Sequence, residues 1–176
     1  IESTGARKIV FSCPGCYRMF RQEYSRLLSP RVRMLHLVEF IDECVRSGKI
    51  KFKDRLEERV TYHDPCELAR LCGVIEEPRR VLANFVTDFV ELPENKFNVK
   101  CCGGGGLYKA VETATSLKIA GKRVEQAEKA GVATLVVACP SCNENLSQAT
   151  YSKKSGLKVL DFAEVTASKI VSGMGS

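Results

Sequence analysis

Short apolar runs alternate along this chain with longer stretches in which apolar residues return every three or four positions. Residues 8–12, 32–37, 60–63, 88–92, 132–138 and 158–162 read as strands. Helices are predicted over 17–28, 39–47, 67–71, 107–130 and 163–171, with two more beginning at Pro78 and near Asn143. The clearest is 107–130, where Leu107, Ala110, Ala114, Leu117, Val124 and Ala127 recur at helical steps and no proline intervenes. Gly48, Gly73 and Gly131 stand where helix ends are expected, and the charged stretch 49–59 reads as an exposed connection. Strands alternating with helices predict an α/β domain with a mainly parallel sheet and helices on both faces. Ligands of such sheets collect at the C-terminal ends of strands.

The pattern also repeats. Ile9-Val10-Phe11-Ser12-Cys13-Pro14-Gly15-Cys16 matches Leu135-Val136-Val137-Ala138-Cys139-Pro140-Ser141-Cys142, at an offset of 126 residues. Further on, Met34-Leu35-His36-Leu37-Val38-Glu39 echoes Val159-Leu160-Asp161-Phe162-Ala163-Glu164, at an offset of 125. Residues 1–58 therefore read as the tail of a first copy and 59–176 as a complete second copy, packed together as one α/β unit.

Composition narrows the class. The 176 residues suffice for one domain with a real core, and 44% hydrophobic with 27% charged residues describes an ordinary globular protein. The net charge of +6 is scattered among acids on helical segments, which reads as a solvated surface. No basic run is interleaved with aromatics and there is no Trp, which argues against nucleic-acid binding. No apolar run approaches a membrane span, so the expected setting is cytoplasmic, with membrane association only through partner subunits. The chain opens on Ile1 rather than Met, which suggests a cut start.

The nine cysteines sit in clumps: Cys13-xx-Cys16, Cys101-Cys102 and Cys139-xx-Cys142, with Cys66 alone after His63-Asp64-Pro65. Clumps of this kind read as metal or iron–sulfur ligands rather than a disulfide framework. Consecutive side chains point apart in strand and helix alike, so Cys101 and Cys102 converge on one object only from irregular backbone. The four glycines Gly103-Gly104-Gly105-Gly106 permit such backbone. Cys66, Cys101, Cys102, Cys139 and Cys142 form the expected ligand set. A sulfur-only cage suits an iron–sulfur cluster or zinc. Structural zinc wants four ligands, and five thiols with an adjacent pair exceed that need. The glycine run lacks the Gly-Lys-Ser/Thr of a phosphate loop, since Leu107-Tyr108-Lys109 follows it.

These residues, with the flanks His63-Asp64-Pro65-Cys66, Glu77-Pro78-Arg79 and Ala138-Cys139-Pro140-Ser141-Cys142, resemble the cysteine-rich CCG domain. That domain occurs in the catalytic subunit of heterodisulfide reductase and in related iron–sulfur oxidoreductases. The relatives include subunits linked to sulfite reduction and to glycolate, lactate and glycerol-phosphate oxidation. The resemblance implies a non-cubane [4Fe–4S] cluster on the five cysteines, with Gly103 beside it. It implies electron passage to a disulfide or similar acceptor. It also implies a ferredoxin-like iron–sulfur partner subunit or domain and a flavin or membrane redox partner. In heterodisulfide reductase two copies bring two clusters face to face, and a small-molecule disulfide is reduced between them. Here the first copy keeps only Cys13 and Cys16, so the chain is expected to hold one cluster at most. As a fragment of a larger oxidoreductase, it is expected to be inactive alone.

Cys44, among Phe40, Ile41 and Val45, reads as a buried thiol, and Cys72 as inert. His63 is a candidate for proton relay to a product thiolate or for orienting its loop. His36 reads as structural. Arg70, Arg79 and Lys109 read as solvated or loop-pinning rather than substrate-binding. Replacing Cys101 or Cys102 by Ser should abolish or transform the cluster's electron paramagnetic resonance, because oxygen is a harder ligand than thiolate. Cys44→Ala should leave it intact. An unchanged spectrum in both adjacent-cysteine variants would sink the assignment.

Overall fold

The computed structural model describes residues 1–28 and 32–171. Four parallel strands form the main sheet in the order β4-β3-β5-β6, where β3 is Leu56–His63, β4 Val86–Phe89, β5 Thr134–Val137 and β6 Lys158–Asp161. A separate parallel pair joins β1, Lys8–Phe11, to β2, Arg33–His36. The helices are α1 Pro14–Met19, α2 Leu37–Arg46, α3 Glu76–Leu82, α4 Tyr108–Val111, α5 Thr113–Lys129, α6 Pro140–Lys153 and α7 Phe162–Lys169.

The four residues of β5 are all buried, which explains an apolar run without alternation. Val136 faces one core with Val60, Tyr62, Val38, Val81 and Phe162. Leu135 and Val137 face a second core with Ala120, Val124, Leu146 and Ala149. The sheet is thus a middle layer, with α2, α3 and α7 on one face and α5 and α6 on the other, as the periodicity predicts.

The matched stretches share one local fold. Each is strand, cysteine, then a helix opened by proline, with Cys13 capping α1 and Cys139 capping α6 in extended backbone. Each second strand ends in a capping side chain: His36 Nδ1 accepts from Val38 N–H at 3.3 Å, and Asp161 accepts from Ala163 N–H at 2.8 Å. A small cavity is lined by Ser12, His36, Leu37 and Val38 together with their equivalents Ala138, Asp161, Phe162 and Ala163. Equivalent strand ends therefore meet face to face.

Four elements depart from expectation. The helix expected over 17–28 begins instead at Pro14 and widens to a π-helical turn, Phe20–Tyr24. Arg21 and Gln22 there donate to the carbonyls of Cys72 and Leu71, at the end of a matching wide turn, Glu67–Leu71. The long helix breaks at Glu112, where Thr113 Oγ1 takes the Lys109 carbonyl that the break frees. The strand expected at 88–92 runs from Val86 to Phe89, since its register is set by β3 and by the Arg59–Asp88 ion pair. The stretch 49–59 is not all connection, because β3 starts at Leu56.

Burial pushes the buried His36 down from 6.5 to about 4, against a smaller upward pull from the Ser12 backbone. The folded state therefore keeps His36 neutral where the unfolded chain protonates it. Its stability is complete above pH about 6.5 and is lost as pH falls towards about 4, by roughly 2–3 kcal/mol. His36→Asn keeps a capping side chain without a titrating group. Its melting temperature should fall less than that of the parent between pH 7 and pH 4.5. Parallel falls would show that His36 does not drive the acid loss.

Candidate functional site

The sulfurs gather at the C-terminal ends of β3 and β5. Parallel pairing of His63 with Val137 brings these ends level, so Cys66 follows one and Cys139 follows the other. Cys101 and Cys102 arrive on the loop between β4 and α4. Cys66 Sγ lies 3.8 Å from Cys101 Sγ, and Cys102 Sγ lies 3.2 Å from Cys142 Sγ. All five expected cysteines line one cavity of about 190 Å³, with Gly105, Gly106 and Ser141 at its edge. Cys13 lines it too, a sixth sulfur that the sequence assigned to a separate site. Cys16 does not; it is exposed, and its thiol is pushed up by hydrogen bonding with Cys13. Cys44, expected to be buried, is only half-buried, as is Cys72, and both stand outside the cavity lining.

The glycines are explained by contacts. Gly103 has φ +79°, and a Cβ there would lie 3.1 Å from both the Ser116 carbonyl and Ile119 Cβ of α5. A Cβ on Gly104 would lie 2.7 Å from the Ser141 carbonyl of α6. No such contact meets a Cβ on Gly105. The loop is thus squeezed between two helices, and its polar backbone is satisfied there. Ser116 Oγ donates to the Gly103 carbonyl at 2.8 Å, and Asn145 Nδ2 donates to the Cys102 carbonyl at 2.7 Å and to Ser116 Oγ at 3.0 Å. The N–H groups of Gly103 and Gly104 turn back onto the sulfurs of Cys101 and Cys102, each at 3.3 Å.

Buried charges anchor the flanks. Asp64 is fully buried, and Arg79 binds both its oxygens, at 2.8 and 2.9 Å. Asp64 also accepts from Lys96 N–H at 2.8 Å, tying the end of β3 to the approach of the double cysteine. Arg70 donates to the Val99 carbonyl at 2.7 Å, and Lys109 pairs with Glu144. All three of these cations pin loops or helices, as read from the sequence.

The thiols divide their protons. The neighbouring Cys102 and Cys66 thiols, with the Gly103 N–H, draw Cys101 down to about 2. Cys142, with N–H groups at the start of α6, draws Cys139 down to about 7. Their partners move the other way: Cys101 pushes Cys102 up to about 12 and drives Cys66 far up. Cys102 and Cys139, with burial, do the same to Cys142. Cys101 and Cys139 are thus the sulfurs biased towards thiolate, and Cys66, Cys102 and Cys142 those biased towards keeping their protons. A cation that displaces those protons meets a sulfur cage already gathered. The sulfur-only donor set and its number fit an iron–sulfur cluster better than four-coordinate zinc.

His63 is fully buried beside this cage. One of its ring nitrogens, Cys102 Sγ and Cys142 Sγ all lie within 4.8 Å of one another. Its Nδ1 accepts from Arg123 Nε at 3.2 Å. Burial, then the Arg123 guanidinium, hold the ring neutral and lower its pKa to about 3. Sequence reasoning missed Ser116, Arg123 and Asn145. The face of α5 that the fold buries is Ser116, Ala120, Gly121, Arg123, Val124 and Ala127. Of the apolar stripe expected from the sequence only Val124 and Ala127 lie on it; Leu107, Ala110 and Ala114 are exposed and Leu117 is half-buried. Packing against β5 and α6 decides the buried face, and a polar residue on that face needs a partner.

Gly104→Ala should displace the glycine loop from α6 and lower the iron bound per chain, whereas Gly105→Ala should leave iron binding unchanged. Asn145→Ala strands the Cys102 carbonyl and should cost about 1–3 kcal/mol in denaturant unfolding. Equal iron content in the two glycine variants would show that the close approach is dispensable.

Comparison with known proteins agrees with this geometry. The chain is 36% identical over 170 residues to a subunit of the dihydromethanophenazine:CoB–CoM heterodisulfide reductase of Methanosarcina acetivorans, covering 95% of this chain and 42% of that protein. It is 30% identical to the "Probable iron-sulfur-binding oxidoreductase FadF" of Bacillus subtilis, covering 97% of this chain and 24% of that protein. It is 31% identical to a subunit of the fumarate reductase (CoM/CoB) of Methanothermobacter marburgensis, covering 92% of this chain and 32% of that protein. The chain therefore spans less than half the length of these relatives. Residues 60–147, which hold Cys66, the double cysteine and the Cys139–Cys142 pair, match the cysteine-rich domain called CCG, and the chain belongs to that family.

Proposed function

We propose that this chain is the electron-transferring cysteine-rich part of an iron–sulfur oxidoreductase of heterodisulfide-reductase type. In this reading Cys66, Cys101, Cys102, Cys139 and Cys142 hold a non-cubane [4Fe–4S] cluster. The observation that carries it is the convergence of five cysteines, from three distant stretches, on one cavity of about 190 Å³. The names of the relatives, a heterodisulfide reductase subunit and an iron-sulfur-binding oxidoreductase among them, support the same class.

When bound, the cluster supplies one-electron transfer. The chain's residues do the rest. Ser116 and Asn145 fix the carbonyls of the double-cysteine loop, so its sulfurs keep their positions. Arg79 and Asp64 hold the strand end behind Cys66. Cys101 is exposed, and Gly105 and Gly106 leave the rim beside it free of side chains, so an acceptor approaches there. A small-molecule disulfide is the proposed acceptor. A ferredoxin-like iron–sulfur subunit and a flavin or membrane partner are the proposed electron sources. Among the described residues no helix is long and apolar enough to cross a membrane.

Residues 1–58 are read as the tail of a first copy and 59–176 as a complete second one. The face-to-face meeting of Ser12 and His36 with Ala138 and Asp161 supports this. Cys13 then belongs to a neighbouring half-site that opens on the same cavity.

Anaerobic purification with iron and sulfide quantification tests the reading. A brown chain with about four irons and as many sulfides is expected. A colourless chain holding zinc and no sulfide would overturn it. With a reductant and the full complex, release of thiol from a disulfide supports the acceptor. Electron passage to a flavin or quinone without thiol release would replace it with a pure electron conduit.

A further inference from the structure

The double-cysteine cavity has a neighbour that the ligand set leaves unused. His63 sits at the end of β3, fully buried, and its Nε2 has no hydrogen-bond partner among the described residues. Its Nδ1 accepts from Arg123 Nε at 3.2 Å. A guanidinium only donates, so Nδ1 must present its lone pair. In a neutral imidazole the proton then sits on Nε2. Arg123 is itself held in place, with Nη1 bonded to the Pro93 carbonyl at 3.0 Å and to Gln126 Oε1 at 2.8 Å. The tautomer is thus set by a clamp between α5 and the loop after β4.

This changes what His63 can do beside the sulfurs. Its ring lies within 4.8 Å of Cys102 Sγ and Cys142 Sγ, close enough to suggest a ligand. A ligating Nε2 needs its lone pair, which would move the proton to Nδ1 and against the Arg123 N–H. A donating Nε2–H needs no such rearrangement, and sulfur is the acceptor chemistry at hand.

We infer that His63 is a positioning residue whose Nε2–H donates to the sulfur shell on the Cys102–Cys142 side, and that Arg123 makes it a donor and bars it from ligating iron. The inference rests on the cluster reading above. Hydrogen bonds to sulfur help set a cluster's potential. An N–H stabilises the more negative, reduced state, so this bond raises the potential.

Two kinds of measurement test it. In the metal-free chain labelled with ¹⁵N-histidine, nuclear magnetic resonance should show His63 protonated at Nε2 and not at Nδ1. In the iron-loaded labelled chain, nitrogen hyperfine coupling should be weak, as through a hydrogen bond. In redox titrations at matched iron content, His63→Leu should have a lower midpoint potential than the parent. His63→Gln, which keeps an N–H near the place of Nε2, should lie nearer the parent. An Nδ1–H tautomer, or the strong coupling of a direct iron–nitrogen bond, would overturn the inference. So would an unchanged midpoint in an iron-replete His63→Leu. Should His63→Leu fail to fold or hold iron, the tautomer and coupling of the unaltered chain decide. A parent chain that binds no iron and sulfide overturns the cluster reading and this inference together. An iron-loaded chain whose potential ignores position 63 overturns the inference alone.

Discussion

The backbone at Gly104 runs closer to one helix than a side chain would allow, and at Gly103 it runs tight against another. A Cβ at Gly104 would stand 2.7 Å from a carbonyl of α6, and one at Gly103 would stand 3.1 Å from a carbonyl of α5. This approach brings the adjacent cysteines under the ends of β3 and β5, where Cys66 and Cys139 wait. It also buries backbone carbonyls away from water, which is costly unless each finds a donor. Ser116 and Asn145 are those donors, one from each helix. The glycines and the two buried polar residues are therefore parts of one device.

Around that device the electrostatics are arranged in layers. Asp64 and Arg79 neutralise each other in the interior, with Lys96 N–H on a remaining lone-pair position of Asp64. A buried pair with this geometry is a rigid anchor more than a source of stability. Arg123 donates through Nε to His63 and through Nη1 to a loop carbonyl and Gln126, while its Nη2 has no partner among the described residues. The sulfurs sit inside this frame. Crowding raises some thiols and lowers others, because neighbouring thiolates repel and a shared proton relieves the repulsion. A set of sulfurs so divided is poised to exchange protons for a metal.

The parallel sheet explains why the site lies where it does. Strands β3 and β5 are neighbours in register, so whatever follows each of them meets at one edge. The same logic repeats at β1, whose trailing Cys13 reaches the same cavity wall from a separate two-stranded sheet. Equivalent caps, His36 and Asp161, end the paired strands and face one another across the junction. A local sequence pattern used twice thus becomes a two-sided arrangement around a sulfur-lined cavity.

Much of this is local chemistry and is legible in the chain. The all-apolar run of β5 and the proline after each capping cysteine follow from side-chain period and backbone restriction. The grouping of Cys66, Cys101, Cys102, Cys139 and Cys142 is also legible, because sulfur clumps and a glycine run have few other uses. What the chain could not reveal is whatever depends on two distant segments touching. The break at Glu112, the wide turns at Phe20–Tyr24 and Glu67–Leu71, and the sixth sulfur, Cys13, depend on neighbours far away in sequence. So do the donors to the cysteine loop and the tautomer of His63. Periodicity records which face of an element is buried. Only the packed structure decides which polar group waits on that face, because a hydrogen bond is specified by two partners and the sequence order names one at a time.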